Sequence, residues 1–295
     1  MRVVAELKME DGFEIVEPAE PKVPFVFDSP HSGDLYPSSF LASSRLDSSR
    51  IRLSEDAFVD RLFAGVVELG APLVRARFPR AFLDVNREPY ELDPKMFSGR
   101  LPSYANVRSL RVAGGLGTIA RVVSETEEIY AGPIPVEEAL QRIETFYRPY
   151  HAALRRLLAR THLRFGQAVL IDCHSMPSTC RSAEARGRAD IILGDRYGTS
   201  CARILIESAA SILRDLGFTV SINKPYAGGF ITEHYGRPSR GLHALQIEIN
   251  RALYMDERRY EPLAVFGEVQ RRLTLFARDL VDTPIADGGL AAAAE

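Results

Sequence analysis

Three apolar runs of strand length each run straight into polar side chains, and this pattern limits the architecture more than any other feature. Residues 23–27 lead into Asp28-Ser29-Pro30-His31-Ser32-Gly33, and residues 168–171 into Asp172-Cys173-His174-Ser175-Met176. The third run, 242–249, carries Gln246 and Glu248 inside it. Unbroken apolar runs of this length mark strands buried on both faces. Stretches of helical spacing lie among them, at 56–69, 136–164, 199–216 and 257–280, and Pro149 should kink or divide the second of these. Shorter runs at 73–78, 82–85, 191–194 and 219–222 read as further strands. Strands alternating with helices of about ten residues or more predict an α/β sandwich around a largely parallel sheet.

The remaining segments are peripheral to that frame. Residues 2–17 read as a hairpin turning at Asp11-Gly12, so 1–22 forms a peripheral N-terminal segment. Residues 98–134 are long, Gly-containing and rich in Arg, as expected of a functional excursion over the sheet. Residues 1–285 are expected to make a single domain, and the small, Ala-rich 286–295 a frayed tail.

Composition narrows the function classes. The 37 basic and 39 acidic residues nearly cancel, and no run of one sign suggests a nucleic-acid or membrane-surface partner. No apolar stretch approaches a bilayer span, and the N-terminus has no signal-peptide core. Cys173, Cys180 and Cys201 form neither a CxxC pair nor a disulfide framework, so the cytoplasm is the expected location. Homo-oligomerisation is compatible with all of this.

The chemistry concentrates where the runs end. In parallel sheets ligands collect beyond the carboxyl ends of strands, and His31 and His174 both fall there. A hydrolytic metal site commonly uses three imidazole or carboxylate ligands and keeps a position for water. The third ligand is open among Glu55, Asp56 and Asp60 of SEDAFVD, with Asp34 a further candidate. On an extended chain Asp172 shares a face with His174 and can orient it. Glu248 lies in a central apolar run, where a carboxylate is costly unless paired or employed, and is the general acid/base candidate. Pairing with Arg251 is the structural alternative. Arg80, Asn86 and Arg87 flank the 82–85 run. Arginine forks suit substrate carboxylates, and ion pairs to Asp84 or Glu88 suit them equally. Gly228-Gly229 suits a close backbone approach, followed by His234, Tyr235 and Arg237. Neither GxSxG, a P-loop nor HExxH occurs, and Gly114-Gly115-Leu116-Gly117 is too weak for a dinucleotide loop.

These residues carry a resemblance. SPHSG (29–33), SEDAFVDRL (54–62), FPRAFLDVNR (78–87), YRPYHAAL (147–154), AVLIDCHSM (168–176), GGFITEHYGRP (228–238) and HALQIEINRALYM (243–255) together resemble the N-formylglutamate amidohydrolase family, in family order. The resemblance implies a three-layer sandwich with a mixed sheet, similar to zinc carboxypeptidases and aspartoacylase. It also implies one zinc ion on His31, the acid of SEDAFVD and His174. Family members carry DTDWH where this chain has SEDAF, which favours Asp56 over Glu55. Glu248 resembles the carboxypeptidase-type base, and Arg80 with Arg87 resembles substrate-carboxylate binders. Asn86, Gly229 and Tyr235 join them as expected substrate contacts. The implied substrate is a small anionic N-acyl amino acid, N-formyl-L-glutamate first, and the implied setting is histidine breakdown. The chain departs from the family pattern in EPYELDPKMFSGRLP after Arg87 and in the loop after Met176. Those loops bear on the pocket, so a deacylase or small carboxypeptidase with another substrate is the alternative reading, and a non-catalytic binding protein a second.

Overall fold

Nine consecutive buried residues, Ala168–Met176, mark the middle of the main sheet in the computed structural model, which describes residues 1–124, 127–179 and 189–285. The tail 286–295, Cys180, and parts of the 98–134 excursion and of the loop after Met176 lie outside the described residues.

Seven strands form this sheet. In chain order they are β1 (Phe13–Val16), β2 (Phe25–Ser29), β3 (Leu73–Ala76), β4 (Ala168–Met176), β5 (Ile191–Gly194), β6 (Val220–Ile222) and β7 (Leu242–Asn250). Side by side they run β6-β5-β7-β4-β2-β3-β1. β4 pairs in parallel with β7 along its whole length and with β2 on the other side. β6 is parallel to β5, and β5 runs antiparallel to β7, so the sheet is mixed and largely parallel. With its helices it makes an α/β sandwich. Both β2 and β4 are buried throughout, which is why their sequences read as apolar runs rather than as alternations.

Contacts group the chain into two compact units. One comprises Met1–Glu14, Pro30–Ala57 and Arg75–Arg155, and the other Ile15–Ser29, Phe58–Val74 and the chain from Arg156 on. In the second unit, helix α1 (Arg203–Asp215) buries Leu205, Ile206, Ala209, Ala210 and Leu213, the stripe that a period of 3.6 residues puts on one face. It packs against helix α2 (Phe266–Val281), which buries Phe266, Val269, Leu273, Phe276 and Leu280. The first unit has an aromatic core. Phe40 meets Phe82 edge-on at 5.4 Å, and Phe82 meets Phe146 at 5.9 Å. The buried Arg142 lies over the Phe82 ring at 4.1 Å and donates to the Tyr130 hydroxyl at 2.7 Å.

Several elements differ from the sequence expectation, each for a local reason. The 2–17 hairpin does not form. Arg2–Val4 pairs in parallel with Leu35–Pro37, while Phe13–Val16 becomes edge strand β1. Ion pairs draw the two pieces apart: Arg2 to Asp34 at 2.9 Å, and Glu14 to Arg75 at 2.8 Å. The expected helix at 56–69 shrinks to Val59–Leu62 and a 3-10 turn at Ala64–Val67, because Phe58 takes φ 68 and starts the helix late. Residues 82–85 form a buried turn and no strand. The Asp84 carboxylate accepts the Asn86 N–H at 2.8 Å, and the Asp84 N–H donates to the Thr118 carbonyl. The 136–164 helix is interrupted by a π-helical turn, Ile143–Tyr147, just before Pro149, whose missing N–H cannot close the regular ladder. Finally, β4 continues past Ile171 to Met176, so His174 lies within the strand rather than beyond it. Among the described residues no helix is long and apolar enough to cross a membrane.

Candidate metal centre

The register of β4 against β7 builds the first half of the site. Gln246 is the partner of Asp172, and Glu248 is the partner of His174. Side chains two apart on a strand share a face, so these four polar groups stand on one face of an otherwise apolar pair. All four are buried. The His174 Nε2 lies 2.7 Å from Asp172 Oδ1, so the carboxylate stands directly against that edge of the ring. Gln246 is oriented from behind, since the Gly229 N–H donates to its Oε1 at 2.6 Å. That turns the amide nitrogen toward Glu248, and Nε2 donates to Glu248 Oε1 at 2.8 Å. A buried carboxylate on a parallel strand is thereby held in one orientation.

His31 is carried two residues past the end of β2 by a tight turn. A Cβ on Gly33 would lie 2.0 Å from the Phe78 carbonyl oxygen, so only glycine lets the two segments approach this closely. His31 Nε2 donates to Asp84 Oδ1 at 2.8 Å, and its Nδ1 lies 3.3 Å from Asp56 Oδ2. The Asp56 N–H in turn donates to the His31 carbonyl at 3.0 Å. With Nε2 protonated toward Asp84, Nδ1 presents a lone pair to a carboxylate, an arrangement that a cation stabilises. Asp84 is fully engaged. Its Oδ2 meets Arg80 Nε at 3.0 Å and Arg87 Nη2 at 3.6 Å. Burial opposes its ionisation, yet Arg87, His31 and Arg80 together hold the carboxyl well below the usual carboxylate range. Asp84 therefore stays ionised and keeps the His31 ring fixed.

His31, Asp56 and His174, all buried, each offer one ligand atom, and these atoms lie within 4.8 Å of one another. Two imidazole nitrogens and a carboxylate oxygen, with a carboxylate against each ring, can hold a metal ion. The neighbouring acids are turned elsewhere. Glu55 accepts from the Tyr36 hydroxyl and pairs with Arg52 at 2.9 Å, and burial keeps its carboxyl above the ordinary value against both. Asp34 pairs with Arg2. Asp60 stands on the short Val59–Leu62 helix.

A family model for N-formylglutamate amidohydrolases matches residues 23–255, which include every residue of this constellation. The chain belongs to the N-formylglutamate amidohydrolase family. Its similarity to family members is long rather than local. It is 29% identical over 270 residues to the N-formylglutamate deformylase of Pseudomonas putida, covering 90% of this chain and 94% of that protein. The corresponding Pseudomonas aeruginosa protein is 27% identical over 271 residues with the same coverage. The crystal structure of N-formylglutamate amidohydrolase from Ralstonia eutropha JMP134 superposes with a TM-score of 0.86 at 36% identity, over 92% of this chain and 98% of that one.

The other residues expected of this N-formylglutamate amidohydrolase family member are spread more widely. Asn86 is buried beside Asp84. Arg87 donates from Nε to the Leu116 carbonyl at 2.8 Å and from Nη1 to its neighbour Asn86 at 2.7 Å, and burial pulls it down to about 10 despite Asp84. Tyr235 is buried at the end of a short helix, Phe230–Tyr235, while His234 on the same helix is exposed and stacks on Phe230 at 4.9 Å. Arg251 donates to Ser175 Oγ at 3.1 Å. The sequence offers Asp84 only as an ion-pair partner of Arg80. Its bond to His31 spans 53 positions, and the sole hint is an acid inside the apolar text of FLDV.

Proposed function

We propose that this protein hydrolyses the amide bond of N-formyl-L-glutamate, giving formate and L-glutamate, with one zinc ion held by His31, Asp56 and His174. The observation that carries the reading is the convergence of those three donors beside strand β7, which presents Glu248 as the register partner of His174. The donor set of two imidazoles and one carboxylate is a common catalytic zinc set, which leaves a coordination position for water or substrate. Zinc, when bound, would supply Lewis acidity that makes a water ionise near neutral pH.

The chain's own groups do the rest. Glu248, aimed by Gln246, takes the proton of the attacking water and returns it to the departing amine nitrogen. Asp84 holds the His31 imidazole in the tautomer that ligates, and Asp172 stands against the His174 ring. Arg80, a quarter exposed, has a guanidinium with five N–H donors, of which Nε serves Asp84. It and Arg87, with Asn86, receive the substrate carboxylate and the charge that develops on the carbonyl oxygen. Gly229 and Tyr235 line the substrate's approach. The deformylase names of the Pseudomonas relatives support the choice of acyl group.

The test is a substrate panel assayed for product release. N-formyl-L-glutamate should yield formate and glutamate in equal amounts, at a kcat/KM at least about 100-fold above N-acetyl-L-glutamate, since a formyl pocket has no room for the extra methyl. Preference for the acetyl compound or for a glutamyl peptide would move the protein to another deacylase or carboxypeptidase activity.

A further inference from the structure

The Gly114-Gly115-Leu116-Gly117 stretch turns out to be a helix stop, and what it positions is an arginine. A short helix, Leu110–Ala113, ends with Gly115 at φ +74, the Gly115 N–H on the Val112 carbonyl at 2.9 Å and the Leu116 N–H on the Arg111 carbonyl at 2.8 Å. That is the glycine-terminated pattern in which two backbone bonds close the last turn. Gly117 then passes so near Glu91 that a Cβ would lie 2.2 Å from the Glu91 carbonyl oxygen, and the next N–H, of Thr118, donates to that same oxygen at 2.9 Å. The turn is thus clamped against the segment that follows Arg87, and the Leu116 carbonyl takes the Arg87 Nε at 2.8 Å.

This backbone brings a third guanidinium to Arg80 and Arg87. Arg111 has one ionic partner among the described residues, Glu91 at 3.6 Å, which is too long for a hydrogen bond. Its side chain is 30% exposed, so the fork is both loosely held and accessible. Asp84, the acid that Arg80 and Arg87 share, already accepts from His31. Glu88, the other acid nearby, is exposed and accepts from Asn106 Nδ2 at 3.1 Å. Three guanidinium groups therefore share two buried carboxylates, Asp84 and Glu91, while the third acid, Glu88, lies exposed on a neutral amide. Burial depresses Arg87 to about 10, and the fields of Arg80 and Arg111 add to that depression. A bound anion relieves this crowding.

We propose that Arg111 binds the side-chain carboxylate of the substrate and so selects N-acyl derivatives of acidic amino acids. The assignment rests on the deformylase reading above and adds the residue that distinguishes a dianionic from a monoanionic substrate. A planar fork that can donate to both carboxylate oxygens suits this role better than an ammonium would.

The experiment compares kcat/KM for N-formyl-L-glutamate and N-formyl-L-glutamine in the parent protein, Arg111→Ala and Arg111→Lys. In Arg111→Ala the glutamate-over-glutamine preference should fall about 10- to 100-fold, mainly through KM for glutamate, the scale of one lost charged hydrogen-bond pair. Arg111→Lys should recover part of it. If Arg111→Ala does not fold, Arg111→Gln keeps the stem and carries the same expected loss. An unchanged preference in a variant that still releases formate overturns the Arg111 assignment alone. A parent protein that releases formate from neither compound overturns the deformylase reading and this assignment with it.

Discussion

Glu248→Gln is expected to keep its full metal content and lose about 10²- to 10⁴-fold in kcat, the range that a positioned general base supplies. At about 1.4 kcal/mol per tenfold, that is about 3–6 kcal/mol of transition-state stabilisation. The substitution is close to isosteric. The new amide oxygen can still accept from Gln246 Nε2, so the bond now measured at 2.8 Å survives, and with it the packing of β7 against β4. Folding should therefore be spared, and a thermal unfolding curve superposable on the parent's would show it. Since Glu248 is outside the ligand set, elemental analysis should return the parental zinc content. Hydrolysis at the parent rate would remove Glu248 from the role of base.

The second large effect is expected from His174→Ala. It removes one of three donors and leaves the buried Asp172 facing a cavity where an imidazole stood at 2.7 Å. Two donors hold a divalent ion far less well than three, so zinc should fall from about one per chain to background, and formate release should fall at least about 10³-fold. Asp172 keeps the contact from Thr232 Oγ1 at 3.5 Å, which is longer than the imidazole contact it loses. A stability loss of about 1–3 kcal/mol should accompany the metal loss. A variant that binds zinc to full occupancy would take His174 off the ligand list.

Much of this architecture is legible in the sequence wherever burial is uniform. The runs that become β2, β4 and β7 announce themselves because both faces of each strand are covered, and apolar text is the direct imprint of that burial. Legibility stops where polar residues enter a strand. Asp172, Cys173 and His174 read as lying beyond the strand because the apolar pattern ends at Ile171, yet β7 pairs with them residue by residue and keeps the strand going. The 82–85 and 56–69 segments fail for a different reason. Their apolar content is real and their side chains are buried, but a carboxylate-closed turn at Asp84 and the left-handed Phe58 decide the backbone, and neither has a periodic signature.

The site shows the same division. His31 and His174 stand out because each follows an apolar run within three or four residues. Glu55 and Asp56 are adjacent, and spacing cannot say which turns toward His31. The structure separates them through partners 19 and 25 positions away, Tyr36 for Glu55 and His31 for Asp56. Of the two roles the sequence leaves open for Arg80 and Arg87, the structure contains the ion pairs to Asp84, and carboxylate binding belongs to the proposed function. Long-range pairings of this kind come from tertiary packing, and no local pattern encodes them.

The most direct test of the central claim is zinc content measured alongside formate release from N-formyl-L-glutamate as the protein is dialysed against a chelator. Activity should fall in proportion to the zinc removed and return when about one equivalent per chain is restored. Protein stripped of metal that still releases formate at the parental rate would contradict the account.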